Sequence, residues 1–298
     1  MRAQQRACRE VILPVGWAPY AVTGDAAGRV WMTVLTPSGL ARMDPATALT
    51  GDEPGAGIVH EPFSAGRPMQ LSIGADGSVW YTRTDDRLGW RDASGRHSLI
   101  DLPSGAAPYG IAVSPRGDIW CTAPGINQIG RVTAERALIM IDLPVPQAGA
   151  AMLTVEADGT AWAALNGAGA LARVCGDAVE IVELPEGAAP VGVTASRSGI
   201  WYADIAGGCV GRIAPSGDLE QIRFADAACR PHAVAADGDG CWVTLWGSGE
   251  LAHVTPGGDV HVQKLPGREP HGLWVSASHV WVAMESGSLA VAERHTAA

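Results

Sequence analysis

Charge is scarce in this sequence: Asp, Glu, Lys and Arg make up only 17% of its 298 residues. That argues against a chain of long, solvated helices. No apolar run approaches the ~20 residues that a membrane helix needs. The first ten residues, Met1 to Glu10, are polar and hold no apolar h-region, so no signal peptide is expected. No Lys/Arg cluster offsets the formal net charge of −10, and a phosphate backbone would be repelled on average. The six cysteines, at 8, 121, 175, 209, 229 and 241, show no CxxC spacing. In a chain without a secretion signal they read as reduced thiols. Neither a GxSxG elbow nor an HExxH motif is present, which argues against a serine esterase and a zincin. The expectation is a cytoplasmic monomer with no membrane or nucleic-acid partner.

Glycine (38) and proline (20) are plentiful, as suits many short strands joined by tight turns. Seven tryptophans fall at one phase: Trp31, Trp80, Trp120, Trp162, Trp201, Trp242 and Trp281, with gaps of 49, 40, 42, 39, 41 and 39. A proline lies 11 or 12 residues before six of them, at 19, 68, 108, 190, 231 and 270, and Ala150 takes its place in the fourth unit. Eight or nine residues after each Trp comes a small apolar block, as in Ile129-Gly130-Arg131 and Val210-Gly211-Arg212. A Leu-Pro pair often closes the unit. A period near 40 with strand-like content predicts an all-β, seven-bladed β-propeller of four-stranded antiparallel blades, one domain over residues 1–298. The repeated Trp reads as blade-to-blade packing. Val11-Ile12-Leu13-Pro14 looks like the last strand of a unit yet comes first, so the N-terminal strand is expected to complete the seventh blade.

Equivalent positions in a propeller converge on one central mouth. The residue after each repeat proline is Tyr20, Met69, Tyr109, Ala151, Val191, His232 and His271. The tyrosines either line the channel or meet a ligand. Two imidazoles in adjacent units point more strongly to chemistry, because they titrate near neutrality. Four residues after its Trp, the seventh unit carries Glu285, where the other units have Leu35, Thr84, Pro124, Asn166, Ile205 and Trp246. Glu269 lies two residues before His271. The two glutamates are either a water-rich Mg²⁺ site or two solvated surface side chains.

Arg230-Pro231-His232-Ala233, followed by Thr244-Leu245-Trp246-Gly247, resembles the sixth repeat of the streptogramin B lyase (virginiamycin B lyase) family. Glu269-Pro270-His271-Gly272, with Val280-Trp281-Val282-Ala283-Met284-Glu285, resembles the seventh. The resemblance covers the whole chain. It implies a carbon–oxygen lyase that inactivates type B streptogramins, cyclic depsipeptides closed by an ester to a threonine side chain, by elimination rather than hydrolysis. It implies Glu269 and Glu285 as Mg²⁺ ligands, His271 as general base, and His232, Tyr20 and Tyr109 at the substrate. Family repeats usually place an acid three residues after the Trp; here only Asp204 keeps one. Two other readings stand beside the lyase: a non-catalytic propeller that binds a peptide or protein, and a metal-dependent lactone hydrolase.

Overall fold

The computed structural model describes residues 8–50 and 53–294. They form seven four-stranded antiparallel sheets arranged as the blades of a propeller. Six blades run in order through residues 18–62, 68–101, 111–142, 150–183, 190–223 and 231–264. The seventh takes three strands from residues 270–293 and its outermost strand from Arg9–Ile12. Arg9 pairs with Val291 and Ile12 with Ser288, so the N-terminus closes the ring as expected. The strand ends one residue before Leu13. Leu13 still donates its N–H to the Gly287 carbonyl at 3.2 Å, and Pro14, which has no N–H to give, starts the turn. The Leu13 side chain is buried with Met32 and Val34 of blade one and Trp281 and Leu289 of blade seven. The closing strand is thus tied by packing as well as by its ladder.

The long first gap, 49 residues, is an insertion in blade one. It includes a short helix, Pro45–Thr50, and a turn at Gly55. Gly55 donates its N–H to the Ile12 carbonyl, and Arg9 donates to the Leu49 carbonyl. The insertion therefore lies against the closing strand, where an unpaired edge would otherwise be open to another chain.

All seven repeat tryptophans are buried, the most exposed being Trp162 at 6%. The arginine of the small block faces the Trp across the sheet: Trp31 pairs with Arg42, Trp120 with Arg131, Trp162 with Arg173 and Trp201 with Arg212. Each guanidinium lies over its indole, 5.2–6.0 Å from the ring centroid. In blade six His253 stacks on Trp242 instead, and in blade two Trp90 stacks on Trp80. Two of the three repeated signals are thus one cross-strand contact.

In five blades the repeat proline is the first or second residue of the innermost strand, where its missing N–H costs no ladder bond, and Ala150 takes that place in the fourth. A register shift follows at once in six blades, as between Pro231 and Val234 and between Pro270 and Leu273. Such a bulge releases the next two residues from the ladder and re-aims their side chains. This is how His232 and His271 come to face the mouth. All six cysteines are free. No helix among the described residues is long and apolar enough to cross a membrane.

Candidate active site

His271 is the centre of the mouth. Its Nε2 lies 2.6 Å from Glu285 Oε2. The two residues flank the Pro270–Met284 pair of one antiparallel hairpin, and the register shift after Pro270 releases His271 from the ladder. The Glu285 amide donates to the Glu269 carbonyl at 3.1 Å, which brings the third member of the set to the same end of the blade. Glu269 is exposed and Glu285 half-buried. Tyr20 lies against the His271 ring at a centroid distance of 4.4 Å, and its hydroxyl shares a 2.7 Å hydrogen bond with that of Tyr109. His232 meets His271 edge-on, with centroids 5.1 Å apart and planes at 84°. All the site residues read from the sequence thus gather at one place.

The electrostatics favour neutral imidazoles. Burial pushes His232 down to about 3, with the neighbouring His271 adding to the fall. Burial also lowers His271, against the opposing pull of Glu285 first and Glu269 second. Both residues are 8% exposed. Their Nδ1 atoms are buried without a hydrogen-bond partner, so Nε2 is the nitrogen of His271 that reaches the mouth. The Tyr20 hydroxyl is pushed well above its ordinary range by burial, and Tyr109 is raised for the same reason. Both tyrosines are neutral phenols.

The backbone is strained where these side chains are mounted. Ala107, Arg230 and Glu269 have φ of 46°, 50° and 59°. They precede Pro108, Pro231 and Pro270, and therefore Tyr109, His232 and His271. Left-handed φ is uncommon for non-glycine residues, and a following proline restricts the choice further. Of order 1–3 kcal/mol is stored at each such position, a cost typical of functional sites.

Beside His232 lies an open basin of about 490 Å³, lined by Tyr109, Ala151, Asn166, Val191 and Ile205 among others. Asn166 and Ile205 hold the same repeat position as Glu285. Charge marks Glu285 at that position in the sequence, whereas the neutral Asn166 and Ile205 carry no such mark.

No cluster of three or more His, Cys, Asp or Glu among the described residues is arranged to enclose a metal. A closed cage, as a structural zinc needs, is absent from that set. Two carboxylates at an open mouth are a donor set that suits Mg²⁺, which keeps several waters and takes one or two carboxylates.

The virginiamycin B lyase family model matches residues 7–292. A virginiamycin B lyase from Nocardia farcinica is 32% identical over 235 residues, spanning 76% of this chain and 78% of that protein. The crystal structure of virginiamycin B lyase from Staphylococcus aureus superposes with a TM-score of 0.88 at 27% identity, over 96% of this chain and 98% of that one. A catalytically inactive histidine-to-alanine variant of the S. aureus enzyme, crystallised with quinupristin, gives 0.87 at 27% identity over 96% and 98%. The hydrazine synthase of Kuenenia stuttgartiensis shares the fold alone, at 15% identity and a TM-score of 0.78 over 98% and 99%. Seven blades, a mouth built on paired histidines and a family match along nearly the whole length lead to one assignment: the chain belongs to the virginiamycin B lyase family.

Proposed function

We propose that this protein is a carbon–oxygen lyase that linearises type B streptogramins by β-elimination at the threonyl ester. The observation that carries the reading is His271, a buried imidazole of lowered pKa in contact with Glu285 and with His232, which lines a basin of about 490 Å³. Neutral imidazole is a competent base near pH 7. The inactive histidine variant of the S. aureus relative supports histidine as the catalytic residue type.

In the proposed reaction the His271 imidazole takes the threonine Cα proton at Nε2. The Cα–H electron pair becomes the Cα=Cβ bond, the Cβ–O bond breaks, and the ester leaves as a carboxylate. The products are a dehydrobutyrine residue and a free carboxyl group in a linear peptide. Glu285 must first swing off Nε2, for which its 35% side-chain exposure leaves room, and the ring must carry its hydrogen on Nδ1 so that the Nε2 lone pair is free to take the proton. The imidazolium that forms then has Glu285 beside it to stabilise the charge. A Mg²⁺ held by Glu269 and Glu285 would act as Lewis acid on the ester carbonyl and the departing carboxylate. His232, held neutral, offers its ring edge to substrate at the border of the basin, and the basin takes the apolar body of the macrocycle.

The test is incubation with a type B streptogramin and Mg²⁺, followed by mass spectrometry. Elimination leaves the substrate mass unchanged while opening the ring; hydrolysis adds one water. An added water would replace this reading with the lactone hydrolase, and no conversion would leave a binding propeller.

A further inference from the structure

The bulge that aims each mouth residue also frees a backbone N–H two residues after the proline, and a buried N–H needs a partner. In four blades a threonine two residues after the repeat Trp supplies it. The hydroxyls of Thr33, Thr82, Thr122 and Thr244 accept from the amides of Ala21, Gln70, Gly110 and Ala233 at 2.8–3.1 Å. Each hydroxyl then donates its proton across the seam to the next blade. The acceptors are the carbonyls of Met69, Tyr109 and Ala151, all at 2.7 Å, and of His271 at 3.1 Å. The other three blades carry Ala164, Ala203 and Ala283 at this position. At the seam between blades five and six, where Ala203 sits, close approach is left to Gly192. A Cβ there would lie 2.5 Å from the His232 carbonyl oxygen.

Thr244 differs from the other three in what it joins. It accepts from the residue that follows His232 and donates to His271 itself, so one fully buried hydroxyl spans both histidines. Its single proton has a second acceptor, the Ala233 carbonyl at 3.4 Å, but the cross-seam bond is the shorter.

We propose that Thr244 is a positioning residue for the reaction: its hydroxyl fixes the spacing and edge-on angle of His232 and His271. It touches neither substrate nor reacting atoms. The proposal rests on the reading of His271 as the base.

The experiment compares Thr244→Ala with Thr122→Ala. Alanine at this position is already tolerated by three blades, and Thr122 makes the same pair of bonds without holding a histidine. Melting temperature, kcat and KM with a type B streptogramin and Mg²⁺, and the imidazole NMR signals are measured for both. Thr244→Ala is expected to lower kcat about ten-fold, short of the roughly 10²-fold that a 1 Å misplacement brings. Its KM stays within about two-fold, and the His232 and His271 signals shift. Thr122→Ala is expected to lose a similar amount of melting temperature with kcat and both signals kept. Thr244→Ser, which keeps the hydroxyl, restores kcat. Thr244→Val, which keeps the shape, repeats the test if the alanine variant does not fold. Unmoved histidine signals and an unchanged kcat in Thr244→Ala overturn the proposal, as does an equal loss of kcat in Thr122→Ala. A wild-type protein inert toward streptogramins removes the functional reading alone, because the histidine signals still decide what Thr244 does.

Discussion

The rings of His232 and His271 stand edge to face, 5.1 Å apart, on the innermost strands of two adjacent blades. Neither has a partner for Nδ1 in the interior. Burial disfavours charge on both, and a second charge would be repelled by the first. Both rings are therefore held neutral near pH 7.

Replacing His271 by Ala should lower kcat by about 10²–10⁴, the usual contribution of a general base. The fold should persist, because the side chain faces the mouth and the cross-seam bond from Thr244 goes to the backbone carbonyl, which alanine keeps. Steady-state turnover together with circular dichroism checks both halves.

The pH dependence of stability follows from His232. Its folded pKa, about 3, lies below the ordinary ~6.5 of the unfolded chain. The unfolded state thus binds the proton first as pH falls. Stability is full above about 6.5 and is lost progressively toward 3. Melting temperature should fall between pH 7 and pH 5, and His232→Gln should flatten that slope. A parallel slope in the variant would show that other groups drive the loss.

Tyr20→Phe removes the 2.7 Å hydrogen bond to Tyr109 while keeping the ring against His271. The expected stability loss is about 1 kcal/mol, with a smaller effect on kcat than His271→Ala. Tyr20→Leu, which also removes the aromatic face, should cost more turnover. Urea melts and kinetics on the pair separate the hydroxyl from the ring.

Removal of residues 1–15 takes away the outermost strand of blade seven and the buried Leu13. The melting temperature should drop by several degrees or more. An unchanged value would contradict the closure of the ring by this strand.

Chelation with EDTA should stop turnover, and added Mg²⁺ should restore it. Glu269→Gln should raise the Mg²⁺ concentration needed for half-maximal rate. Glu285→Gln should do the same and also disturb the His271 contact, so its rate should not recover fully at saturating Mg²⁺. Titration of Mg²⁺ against rate for the two variants reads this difference.

Much of this was legible along the chain. The Trp and Pro spacings give seven blades, and a strand-like segment placed before the first unit gives the closure. The break in the repeat at Glu285 was legible too, but its contact with His271 was not. Local pairing sets Glu285 across from Glu269, and the bulge after Pro270, which no spacing in the sequence announces, turns His271 toward Glu285. The reason for the Arg in the small block needed the sheet register, which places it across from the Trp.

By itself, then, the sequence determined the strand pairing within a blade, because pairing in a short hairpin depends on turn length and alternation. Contacts between blades were decided only by the tertiary structure. Tyr20 meets Tyr109 across 89 residues, and Thr244 reaches His271 across a seam of 27. The basin beside His232 exists because Ala151, Val191 and Ile205 come together without filling it. Such features depend on how the blades twist and dock in the closed ring, and no periodicity within a single repeat carries that information.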